Sequence, residues 1–124
     1  ANSGKMVQPQ LYKDSTTVIN PQIASQANID SLKQALEYVV TDGLGQPAKS
    51  DKVQVAGNIG TVQLGDGSYI VEFCGYFPAD APQYSAIISI HKKELPASGG
   101  LMAGDVFSQI TEYIFTYNKY FNSK

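Results

Sequence analysis

Apolar residues recur along this chain at two different periods, and the change of period marks its elements. Ile29, Leu32, Leu36, Val39 and Val40 fall at helical spacing, which places them on one face of a 3.6-residue turn. Ser25 is positioned to cap the first turn, and Thr41-Asp42-Gly43 closes the last with a glycine. Ahead of this helix, residues 5–18 read as extended. Met6, Leu11, Tyr12 and Val18 are scattered there among polar residues and Pro9, and Asn20-Pro21 signals a turn. After a loop with Gly45, Pro47 and Lys49-Ser50-Asp51, the period falls to two. Residues 53–64, 68–77 and 84–91 are predicted strands, with Gly65-Asp66-Gly67 as a hairpin turn and residues 78–82 as a longer one. Beyond the loop at residues 96–100 a second helix is predicted. Val106, Ile110, Tyr113, Ile114 and Tyr117 form its core-facing stripe, and residues 120–124 are a tail.

The strands also predict layering. Tyr69, Val71, Phe73 and Phe77 point one way, while Ile70, Cys74 and Tyr76 point the other; Tyr84, Ala86, Ile88 and Ile90 share a face opposite Ile87. A sheet that is apolar on both faces needs cover on both. The fold class expected is therefore mixed α/β (α+β): an antiparallel sheet of about three strands flanked by helices on both faces. The 124 residues form a single domain, 1–124, or a piece of one. The first residue, Ala1, is not an initiator Met, which fits an excised piece as well as a processed chain.

Charge narrows the function. The net charge is −2, all nine basic residues are lysines, and the densest basic cluster is the pair Lys92-Lys93. Without arginine or a larger basic patch, no nucleic-acid partner is expected. No apolar run reaches the ~18 residues of a membrane span. Cys74 is the sole cysteine, so no internal disulfide is possible, and inside an apolar strand it reads as a buried small hydrophobe. Asp66, Asp80 and Asp105 sit at turns or a helix start, where short carboxylates accept backbone N–H bonds. None has a partner at ligand spacing, so neither a metal site nor a cofactor is expected. His91 reads as a solvated residue near a strand end, and the tyrosines of the last helix as part of its core face.

The stretches "VAGNIGTVQ", "YIVEFCGYFPADAPQYSAIISIHK" and "GGLMAGDVFSQITEYI" occur in that order, after a helix ending "EYVVTDGLG". Together they resemble the C-terminal portion of a penicillin-binding-protein transpeptidase domain of the monofunctional class. The resemblance implies a penicillin-binding/β-lactamase-like transpeptidase fold, in which the last three strands and the final helix come from this segment. It also implies a parent that acts on peptidoglycan stem peptides, binds β-lactams, and works at the periplasmic or outer side of the bacterial inner membrane. The anchor of such a parent would lie in a segment absent here.

The chemistry of that family needs three motifs. The nucleophile motif, serine followed three residues later by lysine, and the Ser-x-Asn loop both lie upstream of the matched segment. Ser89 and Lys92 share the first spelling, but on a strand, where residues three apart face opposite ways. Tyr120-x-Asn122 shares a variant of the second in spelling only. No catalytic residue is therefore expected in this chain. The third motif, Lys-Thr-Gly, aligns with Asn58, Ile59 and Gly60, followed by Thr61. By resemblance these four form the substrate- and β-lactam-binding strand. Asn58 lacks the lysine's charge, and Ile59 lacks the hydroxyl that would bind a carboxylate. Gly60 permits close approach of a ligand, and the Thr61 N–H aligns with half of the oxyanion hole.

Two functions follow from the resemblance. The parent is a D,D-transpeptidase of peptidoglycan synthesis with a degenerate third motif, or a non-catalytic homologue kept as a scaffold in cell-wall assembly. The partners expected are the stem peptide or β-lactam and the upstream part of the same domain. For the isolated chain, a homodimer is expected, through the unpaired edge of residues 84–91 or by exchange of a terminal segment.

Overall fold

In the computed structural model, which describes residues 1–12 and 15–121, Ser25 caps the first long helix as its position predicts. Its Oγ accepts the Asn28 N–H at 3.4 Å, and helix α1 runs over Gln26–Thr41. The Asp42 and Gly43 N–H groups both return to Tyr38 O at 2.9 Å, ending the helix where the glycine signal stood. Ahead of it lie two short paired strands, β1 (Met6–Val7) and β2 (Val18–Asn20), in place of one extended stretch. The Asn20 side chain accepts the Gln22 N–H at 3.0 Å, making the turn that Asn20-Pro21 implied.

The main sheet has strand order β3-β4-β5, built from β3 (Ala56–Gln63), β4 (Tyr69–Phe77) and β5 (Tyr84–Lys92), all antiparallel. Strand β3 starts three residues later than the hydrophobic run, because Val53 to Val55 pack as loop against the core. At the β3–β4 hairpin, Gly67 adopts φ +82°, which only glycine takes without strain.

One sheet face carries the main core. Phe73 and Phe77 of β4 pack on Phe107 of helix α2 (Asp105–Phe121), with ring centroids 4.7 Å and 5.9 Å away. Such aromatic pairs add about 0.5–1.5 kcal/mol each beyond their burial. Val40, Ala48, Val55 and Ala103 complete the buried cluster, with Ile59, Ala86, Ile88, Ile90 and Ile114 half-buried around it. Helix α1 reaches both faces at the start of β3. Val40 joins the main core, while Leu36 packs on Ala56, Tyr76 and Ala79 of the second face. Farther along, that second face opens to solvent at Asn58, Cys74 and Ile87. The fold is thus the expected mixed α/β class, with an antiparallel sheet and flanking helices.

Three expectations need correction. The fully buried positions of α2 are Phe107 and Thr111, with Ile114 half-buried beside them; of the predicted stripe only Ile114 faces the core, whereas Val106, Ile110, Tyr113 and Tyr117 are exposed at 37, 37, 72 and 52%. Two apolar rows run along this helix, and the sheet selects the one continuous with Ala103. Ser108, Glu112 and Thr116 face the loop at residues 49–52. Ser108 Oγ donates to Lys49 O at 2.7 Å, and Lys52 Nζ lies 3.8 Å from Glu112 and 3.1 Å from Thr116 Oγ1. The second correction is Leu32, exposed at 56% although it fits the α1 stripe. The third is Cys74, which is exposed because it lies on the open face.

Candidate functional site

Strand β3 divides the four aligned residues between its two faces. Asn58 pairs with Cys74, and Gly60 with Glu72; both lie on the open face. Ile59 pairs with Phe73, and Thr61 with Val71, on the core side. The Ile59 side chain packs against the main core. It therefore fills a packing site on the core side of the strand. The Thr61 Oγ1 accepts the Gly99 N–H at 3.2 Å, so its hydroxyl holds the loop that enters the last helix.

That loop approaches the sheet very closely. A methyl group at residue 99 would overlap the Gly60 carbonyl oxygen and lie 2.5 Å from that of Glu72. At residue 100 it would overlap the Leu44 carbonyl oxygen. Only Gly99-Gly100 lets the following turn, a π-helical run over Gly99–Gly104, rest on the backbones of β3 and β4. Ser98 Oγ accepts the Leu101 N–H at 3.2 Å and starts that run. The candidate strand is therefore braced from behind, on its core face, along Ile59 to Thr61.

In front, the strand is open. Strand β3 is an edge of its sheet; Asn58 and Val62 are exposed on its open face, and Thr61 and Gln63 are exposed as well, although alternation puts them on the core side. Glu72 lies beside Gly60, and Ser89 Oγ donates to Glu72 Oε1 at 2.9 Å. The Ser89/Lys92 spelling thus has its serine bonded to a carboxylate on the open face. Asn122, of the second spelling, lies outside the described residues, as do residues 123 and 124 of the predicted tail. Among the described residues, no three His, Cys, Asp or Glu side chains cluster as a metal site.

A second polar group stands at the hairpin. Asp66 Oδ1 accepts from Ser68 N at 2.9 Å and from Ser68 Oγ at 2.5 Å, while His91 Nε2 lies 2.9 Å from that hydroxyl. The Ser68 hydroxyl bond, then the backbone one, hold the Asp66 carboxyl below its ordinary pKa, with a smaller contribution from His91. The hydroxyl proton goes to the carboxylate, so His91 Nε2 must donate to the oxygen. That is the reverse of a nucleophile–base pair. His91 is exposed as expected, but it is bonded. The hint lay in the register: Ser68 and His91 are diagonal neighbours once Ile70 pairs with His91.

The penicillin binding protein transpeptidase domain family matches residues 1–112. Stage V sporulation protein D of Bacillus subtilis (strain 168) is 30% identical over 111 residues, covering 84% of this chain and 17% of that protein. The transpeptidase domain of a D,D-transpeptidase from Legionella pneumophila superposes with TM-score 0.67 and 33% identity, covering 75% of this chain and 37% of that one. The transpeptidase domain of penicillin-binding protein 3 from Burkholderia pseudomallei shares the fold, with TM-score 0.77 at 24% identity over 93% of this chain and 38% of that one. The chain thus spans only a minor part of the relatives it matches. By the match across most of its length, this chain belongs to the penicillin-binding-protein transpeptidase domain family.

Proposed function

We propose that the chain is the C-terminal part of a D,D-transpeptidase domain of peptidoglycan synthesis, and that β3 supplies one wall of its peptide groove. The observation that carries this reading is the open front of β3 from Asn58 to Gln63, backed by a rigid brace at Gly99. An extended peptide can add to such an edge through main-chain hydrogen bonds. Gly60 and the N–H groups that point away from β4 remain available to it, whereas the Ile59 side chain and the Thr61 hydroxyl are engaged on the core side. The third motif is thus degenerate: with Asn58 in place of lysine, the strand binds a stem peptide or β-lactam without the positive charge.

The upstream part of the same domain is the proposed partner of two surfaces. One is the outer edge of β5, which no described strand pairs. The other is the exposed row Val106, Ile110, Tyr113 and Tyr117 of α2. The parent would act at the outer side of the bacterial inner membrane, held by a segment outside this chain; no described helix is long and apolar enough to cross a membrane.

The test is a titration of the isotopically labelled chain with a stem pentapeptide that bears a lysine side chain and ends in D-Ala-D-Ala. Saturable shifts of the amides from Asn58 to Gln63 are expected. Shifts elsewhere, or none, would remove β3 from the groove.

One observation favours a second reading. Ile59 and Thr61 both serve the packing of this segment, as a non-catalytic homologue retained as a scaffold in cell-wall assembly would use them. Under that reading the same titration leaves β3 unmoved.

A further inference from the structure

The space in front of Gly60 is floored by a carboxylate. A Cβ at residue 60 would have only Glu72 within 4 Å, its Cβ and Oε2 both 3.6 Å away. The absent side chain therefore leaves room that begins at van der Waals contact with a carboxylate oxygen. Ser89 fixes the other oxygen, Oε1, at 2.9 Å. Asn58, one residue pair along on the same face, offers a neutral amide. By strand alternation the nearest other members of this face are Val62, Ile70, Cys74, Ile87 and His91, with Ala56, Tyr76 and Ser85 one row farther along. No lysine stands among them.

We infer that Glu72 sets the charge preference of this groove: the room over Gly60 takes an ammonium group of a peptide ligand, such as a stem-peptide lysine, and turns away a carboxylate. The inference rests on the reading of β3 as a ligand strand. An ammonium above Gly60 gains a charge-assisted hydrogen bond to Oε2, and the already oriented carboxylate loses little freedom in making it. A carboxylate in the same place meets a like charge with no lysine at residue 58 to offset it. The site is partly open to solvent, so the preference weakens as salt is added.

Two probes separate the possibilities, read on the labelled full chain. One is acetyl-Lys-D-Ala-D-Ala amide, which carries only an ammonium. The other is the free acid of the same peptide with its lysine acetylated, which carries only a carboxylate. The ammonium probe is expected to shift Gly60, Glu72 and Ser89 saturably, at least about tenfold more tightly than the carboxylate probe. Glu72→Gln, which keeps the Ser89 contact, is expected to abolish that difference. Gly60→Ala fills the room without changing charge, and is expected to weaken the ammonium probe. Equal or tighter binding of the carboxylate probe along β3 overturns the assignment and leaves β3 a ligand strand, as does a preference that survives Glu72→Gln or ammonium-probe binding left unchanged by Gly60→Ala. Silence with both probes overturns the ligand strand itself.

Discussion

Thr111→Val is expected to stabilise the protein. Thr111 is fully buried in the middle of α2, and its Oγ1 has no hydrogen-bond partner among the described residues. An unsatisfied buried hydroxyl costs about 1–3 kcal/mol relative to water. Valine replaces the oxygen with a methyl group of nearly the same size, so the packing against neighbours on the core row is retained. Helix propensity does not decide the outcome, because threonine and valine rank together. The expected gain is about 1 kcal/mol, the lower end of that range, since a hydroxyl in a helix relaxes toward any nearby carbonyl in thermal motion. For a chain of this length that raises Tm by roughly 4 °C. Thr111→Ser is the control: it keeps the oxygen, removes the methyl, and should destabilise. Urea and thermal unfolding of the three proteins give the measurement. A Thr111→Val protein that is less stable than the parent chain, at unchanged urea m-value, would show that the hydroxyl has a partner and refute the reasoning.

Gly99→Ala should cost more than about 2 kcal/mol, because the added methyl overlaps backbone that cannot yield, and it should also shift the amides of Gly60 and Thr61; wild-type-like stability excludes the brace. Asp66→Asn tests the hairpin: a carboxyl whose folded pKa lies below its ordinary value stabilises the fold above about pH 4 and loses that contribution as pH falls through the lowered pKa. The Asn variant should be less stable at neutral pH and show a weaker decline below pH 4, and urea midpoints that fall in parallel count against it. Incubation with a reporter penicillin should leave the intact mass of this chain unchanged, since Ser89 is bonded to Glu72 and no described serine sits beside a lysine on one helical face; a stoichiometric adduct sinks that expectation. Sedimentation at micromolar concentration should show a dimer, formed through the outer edge of β5. A monomer with slow amide exchange along β5 would show the edge covered from within.

Much was legible in the sequence because it depends on local rules. Ser25, Gly43, Asn20-Pro21 and Gly65-Asp66-Gly67 mark caps and turns through backbone chemistry that neighbours in the chain determine alone. Period-two alternation gave β4 and β5 almost to the residue, and with them the sheet's two faces. The family was likewise written in contiguous motifs. Three matters belonged to tertiary structure. Two apolar rows compete on α2, and only the place of Ala103 and Phe107 against Phe73 selects between them. Cys74 is apolar by neighbourhood but exposed, because whether a sheet face is covered depends on elements distant in sequence. The aligned motif Asn58 to Thr61 reads as one string, yet the pleat turns Ile59 and the Thr61 hydroxyl to the core side and puts Asn58 and Gly60 on the open face. Glu72 comes to stand beside Gly60 for the same reason: strand register pairs the two across the ladder, a proximity that spacing along the chain does not carry.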